Sequence, residues 1–254
     1  MNIVAIETAT ETVGVAVRTG SGAEAALTLS GRRRHVETLA PALEHLLGQV
    51  DLEVTDLDLV AVDIGPGLFT GLRVGVATAK GLGQALGIGV IGLTSLEILT
   101  HAAAQLGHRG HVLAAVDARR GELFASVREV REVPDVGDVR ELQPGEEAAG
   151  EDAVDVFASG LFAPDELVAA LRTLGGVRIV GVGDGAHRYA AVLDRVAGVT
   201  CVTAALAAPP PSTLLALASA RYENGTVPLD PALVAPLYMR AADATSNFAQ
   251  ARPV

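Results

Sequence analysis

The chain has 254 residues, half of them hydrophobic, with 19 Lys and Arg set against 30 Asp and Glu for a net charge of −11. This length supports one large or two modest cores, and the charge argues against a surface that holds nucleic acid by itself, which needs a broad face of clustered Lys and Arg. A single cysteine, Cys201, makes neither an internal disulfide nor a thiolate metal site alone, no apolar run is long enough to span a bilayer, and the first residues carry no export signal, so a cytoplasmic protein without a membrane role is expected.

Asn2 to Thr8, Val13 to Arg18 and Ala23 to Leu29 read as an antiparallel meander parted by Thr10-Glu11-Thr12 and Gly20-Ser21-Gly22. Arg32-Arg33-Arg34-His35 is the one basic cluster, readable as a solvated turn or as a local contact for an acidic partner or RNA phosphate. From His35 to Val50, Val36, Leu39, Ala40, Leu43, Leu47 and Val50 recur at helical spacing, with Pro41 either opening a shorter helix or kinking a longer one. Leu59-Val60-Ala61-Val62 is a buried strand, broken by Gly65-Pro66-Gly67; a helix capped by Thr70 is expected from Gly71 to Leu86, just before Gly87. A glycine turn feeding a helix start invites an anion, yet the spacing is neither G-x-G-x-x-G nor a Walker loop, so a plain turn reads as well.

That helix has a wide apolar arc. At about 100° per residue, Arg73, Ala77, Lys80 and Gln84 form one narrow polar line and leave roughly 220° of apolar or small surface, against the ~100° that covers one core. Gly71, Gly75, Thr78 and Ala79 lie near the middle of the arc with Leu82, where a second backbone can approach. The helix is then either sandwiched inside its own domain or faced by a partner chain.

Further on, Ile88 to Gly92 is a strand, followed by a helix entered through Thr94 or Ser95 and running to about Leu106. His111 to Val116 and Leu123 to Val130 are strands about a turn at Arg119-Arg120-Gly121, and Glu132 to Glu151 suits a loop or short edge strand. A helix is expected over Pro164 to Leu174 and a strand over Val177 to Val182. Gly181, Gly183 and Gly185 then make a second glycine turn into a helix over about His187 to Val196, and Ser212 caps a last helix to about Tyr222.

Three strands, helix, strand, helix, strand, helix, begun again after Gly107 to Gly110, resembles the actin and Hsp70 type of ATPase fold. This is an α/β (RNase H-like) architecture of two such units, with mixed sheets flanked by helices. The resemblance implies units over 1–107 and 108–254, with the last helix, about 212–222, a candidate to pack back on the first. Ile3-Val4-Ala5-Ile6-Glu7-Thr8-Ala9-Thr10, Gly65-Pro66-Gly67-Leu68-Phe69-Thr70-Gly71-Leu72-Arg73-Val74-Gly75, Val116-Asp117-Ala118-Arg119-Arg120-Gly121-Glu122-Leu123 and Pro236-Leu237-Tyr238-Met239-Arg240 resemble the TsaB family.

TsaB is the scaffold-like subunit of the bacterial complex that installs threonylcarbamoyl on N6 of adenosine 37 in tRNAs reading ANN codons. The resemblance implies TsaD as the catalytic partner, TsaE, an ATPase, met through the complex, and a homodimer when TsaD is absent. It implies tRNA contact only through the complex, and no cofactor for the isolated subunit, with ATP or ADP only within the complex. In TsaB relatives the two helices after the first three strands form the partner bundle. That carries the interface here to Leu39, Leu43 and Leu46 beside Gly71, Gly75, Thr78, Ala79 and Leu82, so Gly75→Leu is expected to weaken association while leaving the fold largely intact.

Catalytic and metal residues are not expected. TsaD carries Asn-His-x-x-x-His, whereas Ser95 and Leu99 stand at the two histidine positions here, and His101 and His108 lie two turns apart. Active members place Asp-x-Gly in the first hairpin; Glu7, Thr8 and Ala9 replace it, and the added Cβ crowds the place of a phosphate. Asp117 persists in the second unit, and Gly181, Gly183 and Gly185 keep the pattern of an adenosine-side loop or simply of a tight turn. The alternative reading is a nucleotide-dependent transferase or peptidase, for which Ser95 and His101 lack a third orienting group in the sequence.

Overall fold

The computed structural model describes residues 1–31, 35–131, 153–201 and 206–240. The first half runs β1 (Ile3–Glu7), β2 (Thr12–Arg18), β3 (Glu24–Ser30), α1 (His35–Gln49), β4 (Leu59–Gly65), α2 (Phe69–Leu86), β5 (Gly89–Thr94) and α3 (Ser95–Gln105). The second runs β6 (Gly110–Arg119), β7 (Glu122–Val130), β8 (Ala153–Phe162), α4 (Pro164–Arg172), β9 (Ile179–Val182), α5 (Asp184–Arg188), α6 (Ala190–Leu193), β10 (Val199–Cys201) and α7 (Pro211–Glu223). The sheets are ordered β3-β2-β1-β4-β5 and β8-β7-β6-β9-β10. In each, three strands joined in sequence pair antiparallel, and two strands reached through helices lie parallel. The halves thus repeat one topology, an α/β fold of two mixed sheets flanked by helices.

Both faces of the central strands β1 and β4 are buried, which is why they read as unbroken apolar runs rather than as alternating ones. Val4, Ile6, Val60 and Val62 meet Leu39, Leu43 and Leu46 of α1 and Val76 and Ala79 of α2. Ile3, Ala5, Leu59 and Ala61, pointing the other way, meet Ile98 of α3 and Leu214, Leu215 and Ala218 of α7. Leu96, Leu99, Ala102 and Ala103 of α3 face instead the second sheet, at Val112, Ala114, Val116 and Val180. One helix is shared by two cores.

Several local expectations are corrected. The second helix opens at Phe69, not Gly71, and Thr70 does not cap it; Leu68 holds the cap position without a side-chain bond, and its N–H donates to Ala9 O at 2.6 Å. α7 opens at Pro211, whose missing N–H costs nothing in a first turn, so Ser212 is not its cap. The helix expected over His187 to Val196 is two short ones meeting at Tyr189. Strands β8 and β10 had no counterpart in the sequence reading. Pro41 lies inside α1 with its ring exposed, so it does not begin a shorter helix. The cluster Arg32 to Arg34 and the stretch Glu132 to Glu151 lie outside the described residues.

The wide arc of α2 is largely taken up by the chain itself. Gly71, Gly75 and Ala79 are buried, as are Leu39, Leu43 and Leu46, so six of the eight interface candidates turn inward; Thr78 and Leu82 are half-buried. A Cβ on Gly71 would strike Thr8 O, and one on Gly75 would strike Thr8 Oγ1. This overturns the expectation that Gly75→Leu spares the fold. A 3₁₀ turn at Pro231–Leu233 crosses the far end of α2, where Lys80 Nζ donates to Ala232 O and Val234 O at 2.9 Å each and a Cβ on Gly83 would meet the Pro231 ring at 2.6 Å.

Candidate functional site

Three turns at the ends of the central strands hold the residues expected at a nucleotide cleft, and each is filled by groups of the chain itself. In the β1–β2 turn, Glu7 is fully buried and accepts from Ala9 N–H at 2.7 Å and from Thr12 Oγ1 at 3.0 Å. Thr8 Oγ1 donates to Gly71 O at 2.9 Å, Leu68 N–H takes Ala9 O, and His35 Nε2 sits 2.9 Å from Thr10 O. Backbone donors that would cradle a phosphate are spent within the turn, and the start of α2 lies on top of it. Glycine at 67, 71 and 75 permits this, since a Cβ at any of them would overlap residues 8 or 9.

Behind this turn lies an acidic pair that the sequence reading did not single out. Asp63, fully buried at the end of β4, accepts from Gly65 N–H at 2.7 Å and Ser95 Oγ at 2.8 Å through Oδ1, while Oδ2 has no hydrogen bond among the described residues. Burial pushes the Asp63 carboxyl up to about 7, against the pull of those two donors. Burial, and then the neighbouring Asp63 charge, hold Glu7 well above the usual carboxylate range. A pair in such surroundings retains a proton near neutrality. The signal available in sequence was Asp63 at the end of a wholly apolar strand, just before the glycine break.

In the second half, Asp117 ends β6. Its Oδ1 accepts from Arg119 N–H at 3.0 Å, and its Oδ2 pairs with Arg119 Nη1 at 3.0 Å and Arg188 Nη1 at 3.3 Å. Two guanidiniums thus neutralise the one Asp117 carboxylate, and among the described residues no group of three or more His, Cys, Asp or Glu is placed to hold a metal. Arg119 reaches on to Glu11 at 2.6 Å, tying this turn to the first hairpin. Arg120 and Gly121 form the two-residue turn with φ of 55° and 83°, as a type I′ turn requires, and Arg119 also has positive φ at the adjoining bulge.

The third turn, Gly181-Val182-Gly183-Asp184-Gly185, is spent on packing. A Cβ on Gly183 would strike Ala115 O, one on Gly185 would lie 2.8 to 2.9 Å from the Ala115 and Val116 backbone, and Gly183 N–H donates to Leu206 O at 2.7 Å. Asp184 Oδ1 accepts from Asp117 N–H at 2.9 Å, and burial raises its carboxyl to about 6. Ser95 is buried on Asp63, and Leu99 is buried in the core. His101, six residues beyond Ser95 on one helix, projects about 120° away round the axis, so the two are not brought together.

What remains open is a groove of about 530 Å³ between the start of α2, the β6–β7 turn and the tail. Phe69 and Tyr238 meet with ring centroids 5.3 Å apart, Arg73 lies over Phe69 at 3.6 Å, and its Nε donates to Tyr238 Oη at 3.1 Å. Leu237 N–H donates to Ile64 O at 2.7 Å, and Arg240 donates to Ala118 O at 3.1 Å and pairs with Glu122. The Pro236 to Arg240 stretch, which showed little regular pattern, is a strap across both halves.

Comparison with known proteins gives the family and the fold. Residues 29–248 match the family described as TsaD: tRNA N6-adenosine threonylcarbamoyltransferase. The tRNA threonylcarbamoyladenosine biosynthesis protein TsaB of Escherichia coli K12 is 35% identical over 124 residues, 49% of this chain and 53% of that protein. TsaB of Bacillus subtilis 168 is 34% identical over 128 residues, 50% and 55% of the two chains. The chain therefore spans about half the length of these curated relatives. YeaZ from Pseudomonas aeruginosa superposes with a TM-score of 0.74 at 24% identity, covering 93% of this chain and 99% of that one. The closed first turn, the shared fold and the length of the family match lead to one assignment: this chain belongs to the TsaD-like family, in its TsaB group.

Proposed function

We propose that this chain is a non-catalytic subunit of the machinery that forms N6-threonylcarbamoyladenosine at position 37 of tRNAs reading ANN codons, where it binds and supports a TsaD-type catalytic chain. The observation that carries the non-catalytic part is the β1–β2 turn, whose Ala9 N–H is held by Glu7 and whose face is covered by α2. ATP or ADP, TsaE and tRNA are then met only in the assembled complex, in the cytoplasm. The relatives named above carry this biosynthetic pathway in their names.

The docking face we assign is the outward side of α1 and α2. Val36 is 72% exposed, and Ala40, Ala77, Gly81 and Ala85 are exposed with it, flanked by Arg73 and Gln84. A face of small and apolar groups admits close approach of a second helix pair, that of TsaD or, in its absence, of another copy. Gly81 has open space about its Cα, so Gly81→Leu leaves the fold intact and blocks that approach. In sedimentation with its organism's TsaD, Gly81→Leu should weaken both self-association and TsaD binding by about one to two orders of magnitude, the equivalent of ~1 to 3 kcal/mol of overpacking. Wild-type association by Gly81→Leu refutes this face. ATPase, peptidase or carbamoyl-transfer turnover by the pure protein that Asp117→Ala or Glu7→Ala abolishes refutes the non-catalytic reading.

A further inference from the structure

A second cavity, of about 240 Å³, opens where the start of α3, the middle of β7 and β8 and the end of α7 meet; Glu97, Ser126, Arg128, Asp155 and Arg221 line it. A bulge in the β7–β8 pairing, between Ala125 and Val127, lies at Ser126 and parts the two strands there. Bulges of this kind re-aim side chains beside sites. The Ser126 hydroxyl is unusual. Ser126 is only 4% exposed, and its Oγ has no hydrogen-bond partner among the described residues. A buried hydroxyl without a partner costs stability, so a group that completes it is gained by binding something there.

The surrounding charges specify what that is. Arg221 pairs with Glu97, and Arg128 Nε lies 2.8 Å from Asp155 Oδ1 while its guanidinium also donates to Ala153 O at 3.0 Å. Among the described residues, two guanidiniums and two carboxylates line this space, set in opposite-sign pairs. A simple anion would meet both carboxylates, and a simple cation both guanidiniums; a molecule carrying both signs a few ångströms apart meets a partner for each. The positive end of α3, where Thr94 Oγ1 accepts from Glu97 N–H at 3.2 Å, adds to the pull on a carboxylate.

We propose that this cavity binds a free α-amino acid with a short polar side chain. Its carboxylate faces Arg221 and the start of α3, its ammonium faces Glu97 and Asp155, and Ser126 Oγ completes the polar contacts. The proposal does not rest on the biosynthetic reading above, and neither falls with the other.

The test is isothermal titration of the full chain with L-serine and L-threonine, with inorganic phosphate and ethanolamine as single-charge comparisons. The amino acids should bind at least ten-fold more tightly than either comparison. Ser126→Ala removes only the orphaned hydroxyl, so the unliganded variant should melt no lower than wild type yet bind the amino acid about ten-fold more weakly. The proposal is overturned if the amino acids give no heat at millimolar concentration, if phosphate or ethanolamine binds as well, or if Ser126→Ala binds unchanged.

Discussion

Two glycines on the same helix, six residues apart, should respond to the same substitution with opposite signs. At Gly75, a methyl group would occupy the position of Thr8 Oγ1, which donates to Gly71 O at 2.9 Å, and neither residue is accessible to solvent. Overpacking a tight contact costs ~1 to 3 kcal/mol, and displacing Thr8 from its bond adds about 1 kcal/mol, so Gly75→Ala should destabilise by roughly 2 to 4 kcal/mol. At Gly81 nothing lies within 4 Å of an added Cβ. There, replacing an exposed helical glycine should stabilise by ~0.8 to 1 kcal/mol. Urea denaturation of the two variants at constant slope measures both effects. If Gly75→Ala is as stable as wild type, or if Gly81→Ala loses as much as Gly75→Ala, α2 does not lie on the first hairpin as described.

Stability should fall as pH rises from about 4 to about 7. Asp63 ionises near 4 when unfolded and near about 7 when folded, so the folded state binds the extra proton over that window; at ~1.4 kcal/mol per pH unit the loss is on the order of 4 kcal/mol by the top of it. Glu7, raised in the same direction, extends the effect. Asp63→Asn keeps an acceptor for Gly65 and Ser95 and should flatten the profile, and an unchanged slope would contradict a shared buried proton. Burial and the nearby Asp194 charge raise the Cys201 thiol to about 11, so its alkylation at pH 8 should be on the order of a hundred-fold slower than that of a free thiol. With a net charge of −11, the isolated chain should bind tRNA no better than weakly at physiological salt, and nanomolar retention in a filter assay would contradict this.

The repeated strand-helix order was legible because the central strands are uniform apolar runs and the glycine breaks stand at their ends. Edge strands were not. β8 is mostly apolar but covered only in part, and Asp155 and Ser159-Gly160 break Ala153 to Phe162 so that it shows neither alternation nor a continuous apolar run. The wheel of α2 announced more buried surface than one sheet needs, yet no spacing rule tells a partner's backbone from the chain's own hairpin and tail, and here Thr8 and Pro231 supply much of the cover. The departure of the first hairpin from Asp-x-Gly was readable from Ala9. The means of closure, Glu7 on Ala9 and two guanidiniums on one carboxylate, depends on residues brought together from far along the chain.

α3 gives Ile98 to one sheet and Leu96, Leu99, Ala102 and Ala103 to the other, while α7 returns from the second half to cover the first sheet, so among the described residues the two halves share buried apolar surface along one helix. Swinging them apart by even a few degrees would uncover apolar surface on both sides of a single helix, at about 25 cal/mol for each Å² exposed. Enzymes that close on a ligand draw their moving parts from weakly packed segments. In this protein a helix buried against both sheets lies where such motion would pivot, so any opening there carries that cost.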